Sequence, residues 1–260
     1  MNKTHILLLD VGNTKIKAAL GSPRGVVAAS LRAVPTHGDL AATLGPTLRK
    51  LFAQQELDMR DVAGCAVSSV VPRTNAPLVA LVAGLTGHDP LFAPGQLPFG
   101  FANMAHIPDN VGADRLAGAY GAREAFPRAD HIVIIDFGTA TTVDCVRQRD
   151  YLGGLTCPGI HSAAESLTAG TAQLPTLTLT LDGPELELGF DTMKSLNQGF
   201  LFGFAGLAEG LVARLTPLLG AEPLVVATGG LAPAVATLCP RIDHVLPDLV
   251  MRGLLAASME

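Results

Sequence analysis

One pattern, a buried strand that runs into a lone carboxylate and a tight polar turn, occurs twice in this chain and limits what the chain can fold into. Residues 4–20 read THILLLDVGNTKIKAAL: an apolar run from Ile6 to Leu9 ends in Asp10, followed by Gly12, Asn13 and Thr14 and then by alternating residues through Ala18. Residues 131–146 read HIVIIDFGTATTVDCV, with Asp136, Gly138 and Thr139 in the matching places. A turn of Gly, Asn and Thr presents backbone N–H groups and hydroxyls to one point, which makes a nest for an anion. A carboxylate beside it repels phosphate but can reach it through a metal ion, by accepting hydrogen bonds from the ion's water shell. One copy alone would read as an ordinary hairpin. Two copies on similar halves read as two clamps able to grip a polyphosphate.

A duplicated strand–turn–strand unit calls for an α/β chain in two related halves, and 260 residues suffice for both cores. Hydrophobic residues at 48% against 16% charged exclude a disordered chain. A net charge of −5 argues against a nucleic-acid surface, which needs a clustered basic face. Cys65, Cys145, Cys157 and Cys239 form no CxxC pair and no zinc spacing with histidine, which points to reduced thiols and a cytoplasmic location. The Ile6–Leu9 run is too short for a signal peptide. Residues 199–215 are apolar but carry Glu209 and Arg214, so they read as a buried helix and no membrane span is expected.

Periodicity predicts strands at 4–10, 15–20 and 26–32, a helix over 40–54 interrupted at Pro46, and a strand in GCAVSSVVP (64–72). A helix opening at Pro77 and a short strand at 90–93 follow, then a loop over 97–109. NVGADRLAGAYGAREAF (110–126) reads as a helix lined with small residues, with Asp114 and Arg115 in its first turn. The second half repeats the scheme: strands at 131–136 and 151–160, helices near 161–170 and 191–216, a strand ending in the paired Gly229 and Gly230, and a terminal helix. No linker separates the halves, and the boundary falls near 115–130, giving 1–116 and 117–260.

The DVGNT turn, the DFGT turn and the late GG resemble the duplicated actin-like ATPase (ribonuclease H-like) architecture, with a mixed sheet flanked by helices in each half. DVGNTKIKAAL, SSVVP, GADR, DFGTATTVD, YLGGLTCPGI, TAQLP and LPDLVMRGL, in that order, narrow the resemblance to type III pantothenate kinases over nearly the whole chain. That resemblance implies ATP-dependent phosphorylation of pantothenate, the first step towards coenzyme A, by a homodimer that needs a monovalent cation, K+ or NH4+, besides Mg2+.

The resemblance places the catalytic base on Asp114 of GADR, and a helix start favours its ionised form. A carboxylate is a weak base, yet phosphoryl transfer is loose enough to lose the proton late. Gly112, Ala113, Asp114 and Arg115 would meet substrate, the arginine forking onto a carboxylate. Asp10 would hold magnesium through water, and the stretch Asp10, Val11, Gly12, Asn13, Thr14, Lys15, Ile16 and Lys17 would meet ATP, although Lys17 reads equally well as a solvated lysine. The resemblance assigns the monovalent cation to Asp136, ATP to Thr139, Gly229 and Gly230, and substrate to Thr192 near the dimer interface; Thr192 also reads as a helix N-cap. One position departs from the pattern. Where the family carries a tyrosine seven residues before the glycine of GADR, this chain has Ala105, with Phe101 and His106 the nearby substitutes. A kinase for another small alcohol, a phosphatase and a catalytically silent binding protein are the rival readings; the last should have lost Asp10, Asp114 or the turn glycines, and all are present.

Overall fold

The computed structural model describes residues 4–27, 30–169, 179–181 and 183–259. The first copy of the repeat runs β1 (His5–Val11), β2 (Lys15–Ser22), β3 (Gly25–Val26), β4 (Arg32–Pro35), α1 (Leu40–Gln54), β5 (Val62–Ser69), α2 (Pro72–Thr86), β6 (Leu91–Ala93) and α3 (Ala113–Ala125). The second runs β7 (His131–Phe137), β8 (Ala140–Arg147), β9 (Asp150–Pro158), α4 (Ile160–Ala169), α5 (Thr192–Leu219), β10 (Leu224–Thr228), α6 (Ala232–Leu238), β11 (His244–Val245) and α7 (Leu249–Ala257). Each copy builds a mixed sheet: β3-β2-β1-β5-β6, with β4 also on β2, and β9-β8-β7-β10-β11. In each, the carboxylate strand is central, antiparallel to its hairpin partner and parallel to the strand on its other side. The repeat seen in the sequence is therefore a repeat of topology.

Local sequence explains most elements. In α1, Asp39 caps the start by accepting from the Ala41 N–H at 2.8 Å. Pro46 was expected to interrupt this helix, but α1 is continuous. Leu40, Leu44, Leu48, Leu51 and Phe52 are buried along it, at roughly 1.5–3 kcal/mol each, against about 3 kcal/mol for an interior proline. The next helix starts at Pro72, with Pro77 inside it, so the start expected at Pro77 is one turn and more too late. The strand expected over 26–32 is two short ones, β3 and β4, with 28–29 outside the described residues. Short α6 and β11 were not anticipated; seven and two residues are too few to display a period.

Two compact units result. One holds the chain through Pro127, residues 149–151 and the C-terminal stretch from Asp248; the other holds 128–148 and 152–247. Helix α7 joins the first unit because it packs on α3. Their crossing is glycine on glycine: a Cβ on Gly253 would overlap the Ala117 carbonyl, and one on Gly121 would overlap the Leu249 carbonyl. The small residues along α3 thus serve close helix approach. Burial pushes the Cys65 thiol up, and burial with the Asp144 charge beside it pushes Cys145 up to about 11.

Candidate active site

Strand β1 sends Leu7, Leu9 and Val11 into the apolar cluster beneath α1 and α2. Alternation then puts Leu8 and Asp10 on the other face of the sheet. Pairing sets Asp10 beside Lys17 on β2 and Ser68 on β5, so all three share that face. It is the face covered by α7 and α3: a Cβ on Gly21 would stand 2.5 Å from the Leu255 side chain and 3.2 Å from that of Leu8. Asp10 is only 6% exposed, and the Lys17 Nζ lies 3.7 Å from its Oδ2. The hairpin register ties Lys17 to Asp10 while its side chain stays about one-third open.

The turn after Asp10 is closed by the Gly12 N–H donating to the Lys15 carbonyl at 3.1 Å. Thr36, which the sequence did not single out, braces it twice: its hydroxyl donates to the Gly12 carbonyl at 2.6 Å and its N–H to the Thr14 carbonyl at 3.1 Å. Asn13, Thr14 and Lys15 are exposed at the tip. Val11 and Ile16 bury their side chains in the core, so only their peptide groups can face a ligand.

The GADR segment arrives at the same end of this sheet. The Val70 N–H, just past β5, donates to the Val11 carbonyl at 3.1 Å. The Val70 side chain in turn lies 3.6 Å from where a Cβ on Gly112 would stand. Gly112 caps α3, and the absent Cβ leaves room for Asp114, whose Oδ1 lies 2.5 Å from that point and accepts from the Arg115 N–H at 2.8 Å. Asp114 and Arg115 are half-buried in the first turn of α3, where the helix dipole favours the ionised carboxylate. Asp10, its turn and the Asp114–Arg115 pair are therefore brought to one end and one face of the first sheet.

In the second unit, β7 points Val133, Ile135 and Phe137 at the core formed with α5 and turns Asp136 to the opposite face, beside Thr142 and Thr228. The turn is closed by the Gly138 N–H donating to the Ala140 carbonyl at 3.1 Å, and the Ser162 hydroxyl holds the Thr139 carbonyl at 2.8 Å. Gly229, at φ +95°, packs against it: a Cβ there would stand 2.5 Å from the Asp136 Oδ1 and 2.6 Å from the Phe137 carbonyl oxygen. A carboxylate and a carbonyl oxygen thus converge on one bare glycine. Gly159 approaches the same turn closely enough that a Cβ would stand 2.6 Å from the Gly138 carbonyl. Gly230 is exposed beyond it.

Thr192 does not cap α5. Asp191 does, accepting from the Lys194 N–H at 2.8 Å, and Thr192 is the exposed first helical residue. The carboxylate one residue earlier takes the cap because its oxygen reaches the third helical N–H. Phe101 does not replace the missing tyrosine: it is 5% exposed, packed edge-on against Tyr120 at 5.4 Å and against Tyr151 at 5.9 Å. Asn103 pins the same loop by accepting from the Tyr151 N–H at 3.1 Å and donating to the Tyr151 carbonyl at 2.8 Å. Ala105 and His106 are exposed in the short helical turn that follows.

Helix α5, expected to be buried, is covered over only 22% of its most apolar window, although by length and composition it could cross a membrane. Leu201, Ala205, Ala208 and Val212 face inward, whereas added Cβ atoms at Gly199, Gly203, Gly206 and Gly210 would meet nothing within 4 Å among the described residues. Among the described residues no group of three or more His, Cys, Asp or Glu side chains could hold a metal ion. A divalent ion here would take most of its ligands from phosphate and water, as magnesium commonly does.

Comparison with known proteins gives the family and the fold. The sequence profile for type III pantothenate kinase matches residues 6–214. A type III pantothenate kinase of Oleidesulfovibrio alaskensis is 44% identical over 98% of this chain and 96% of its own. Among solved structures, component A of the Acidaminococcus fermentans (R)-2-hydroxyglutaryl-CoA dehydratase superposes with a TM-score of 0.57 at 14% identity, covering 98% of this chain and 96% of that one. MreB 5 of Spiroplasma citri, bound to AMPPNP, superposes with a TM-score of 0.55 at 10% identity, over 97% and 95%. These two carry the fold alone, which is the actin-like ATPase fold.

Proposed function

The chain belongs to the type III pantothenate kinase family and phosphorylates pantothenate with ATP in coenzyme A biosynthesis; on that premise we propose that Asp114 is the base of the transfer, that the Asp10 turn meets the phosphates of the nucleotide and that Asp136 holds a monovalent cation. The observation that carries this reading is the convergence of Asp10, its turn and the Asp114–Arg115 helix start at one end of the first sheet.

In this reading the primary hydroxyl of pantothenate attacks the γ-phosphorus of ATP. The bond from that phosphorus to the bridging oxygen breaks, ADP leaves, and the hydroxyl proton passes to an Asp114 carboxylate oxygen late in the transfer. Arg115 forks onto the pantothenate carboxylate and fixes the distance between hydroxyl and phosphate. Gly112 and Ala113 let the substrate approach the helix start, and Thr192 supplies a further polar contact. The peptide groups from Val11 to Lys17 and the side chains of Asn13, Thr14, Lys15 and Lys17 meet the phosphates, Thr139 meets ATP, and Gly229 and Gly230 leave room for the rest of the nucleotide.

Asp10, nearly buried and lacking other carboxylates near it in register, suits a magnesium ion held through water; the bound ion would neutralise phosphate charge. Asp136 suits a monovalent cation, because β7 turns its hard carboxylate oxygens to the face away from the apolar core. The exposed apolar face of α5 supports a homodimer, with Glu209 and Arg214 disfavouring lipid. Four free thiols, three of them buried, support a cytoplasmic location.

The test is an assay of ADP and phosphopantothenate with MgATP and pantothenate, in potassium and in sodium, for the unsubstituted chain and Asp114→Asn. Product in potassium, less in sodium, and a loss of about 10²–10⁴ in kcat for the variant are expected. A variant with the activity of the parent would remove Asp114 from the chemistry, and equal rates in both salts would remove the cation from Asp136.

A further inference from the structure

Two hydroxyls are buried with no hydrogen-bond partner among the described residues, those of Ser68 and Thr141. Thr141 pairs with Phe137, whose side chain lies in the apolar core of the second sheet. Ser68 is different. It is 0% exposed, and its neighbour in register on the central strand is Asp10, on the same face of the sheet. A buried hydroxyl left unpaired lowers stability, and alanine in its place would relieve that cost. Next to the carboxylate of the phosphate clamp, the unpaired hydroxyl points to a ligand that is absent from the protein alone.

The side-chain pattern says which ligand. Neighbouring strands lie about 4.8 Å apart, a span across which one water can bridge two side-chain oxygens. Ser68 can both donate and accept, so it complements an acceptor-only carboxylate on a shared water. The second copy repeats the arrangement: Asp136 has Thr228, 4% exposed, in the corresponding register position on β10. A hydroxyl beside the carboxylate is therefore part of the duplicated unit rather than an accident of one strand.

We propose that Ser68 is a positioning residue, whose hydroxyl and Asp10 together hold one water of the magnesium shell and so orient the ion towards the nucleotide. The inference rests on the nucleotide-binding reading above but not on pantothenate being the acceptor. Binding of ADP is measured by calorimetry on the unsubstituted chain, Ser68→Ala and Ser68→Thr, with magnesium and with EDTA, alongside the melting temperature of each protein without ligand. Magnesium should tighten ADP binding to the unsubstituted chain, and Ser68→Ala should cut that advantage about fivefold to tenfold. Its affinity for metal-free ADP should be unchanged and its melting temperature equal or higher. Ser68→Thr should keep the advantage, since threonine occupies the corresponding place in the second copy. Ser68→Ala with the full magnesium advantage, or with equal losses in both conditions, overturns the proposal. An unsubstituted chain that binds no nucleotide overturns both this inference and the reading beneath it. The expected pattern without any turnover of pantothenate would support the Ser68 role while refuting the proposed chemistry.

Discussion

At the scale of single residues, the site depends on side chains that are missing as much as on those present. Gly112 leaves the space that Asp114 occupies, and Gly229 leaves the space on which Asp136 and the Phe137 carbonyl converge. Gly229→Ala would suffer twice: its φ of +95° disfavours any Cβ, and the Cβ would collide with the Asp136 carboxylate. The expected outcome is a loss of about 1–3 kcal/mol in denaturant unfolding, with loss of any potassium stimulation. Retained stimulation would remove Gly229 from the cation site. The sequence already marked Asp10, Asp114, Asp136 and the glycines, because few residue types suit such turns. It did not mark Thr36, Ser162 or Ser68; a lone hydroxyl acquires meaning only from what lies beside it in space.

At the scale of elements, the helix pair α3–α7 places Asp114. α7 covers β1 on the Asp10 face and packs on α3, so it sets the height at which α3 begins. A Cβ on Gly253 would overlap the Ala117 carbonyl, backbone that cannot move without shifting the helix. Gly253→Ala should therefore destabilise the protein by about 1–3 kcal/mol and lower kcat, through displacement of α3, more than it changes the KM for ATP. Circular dichroism melts and steady-state kinetics check this; an unshifted melt would mean that the crossing has slack. Helix periods and hairpin turns were legible locally, and the small residues of α3 were visible too. Their partner was not, because α7 lies far away along the chain and contact between the two helices is a product of folding.

At the scale of the whole molecule, the apolar outer face of α5 is the feature one copy of the chain leaves unexplained. The homodimer proposed above would cover it. Gly206→Arg places a charge where an added Cβ meets nothing within 4 Å among the described residues, so the fold should tolerate it. Sedimentation equilibrium should then show a dimer for the unsubstituted chain and a weaker dimer or monomer for the variant, with unchanged circular dichroism. A monomeric parent chain would sink the idea. Composition suggested a buried helix because apolar residues are usually inside; only the structure separated the inward stripe of Leu201, Ala205, Ala208 and Val212 from the uncovered glycine face.

The duplicated strand–turn architecture and the family were legible in the chain alone, and its carboxylates stood out as candidates, since each depends on residue types at short spacing. Folding supplied what the order of residues does not: that Lys17 meets Asp10, that Asp191 rather than Thr192 caps α5, that Phe101 is packed away, and that Ser68 stands beside Asp10 in register. These follow from strand register, helix packing and burial, which join residues distant in the chain and leave no local trace in its order.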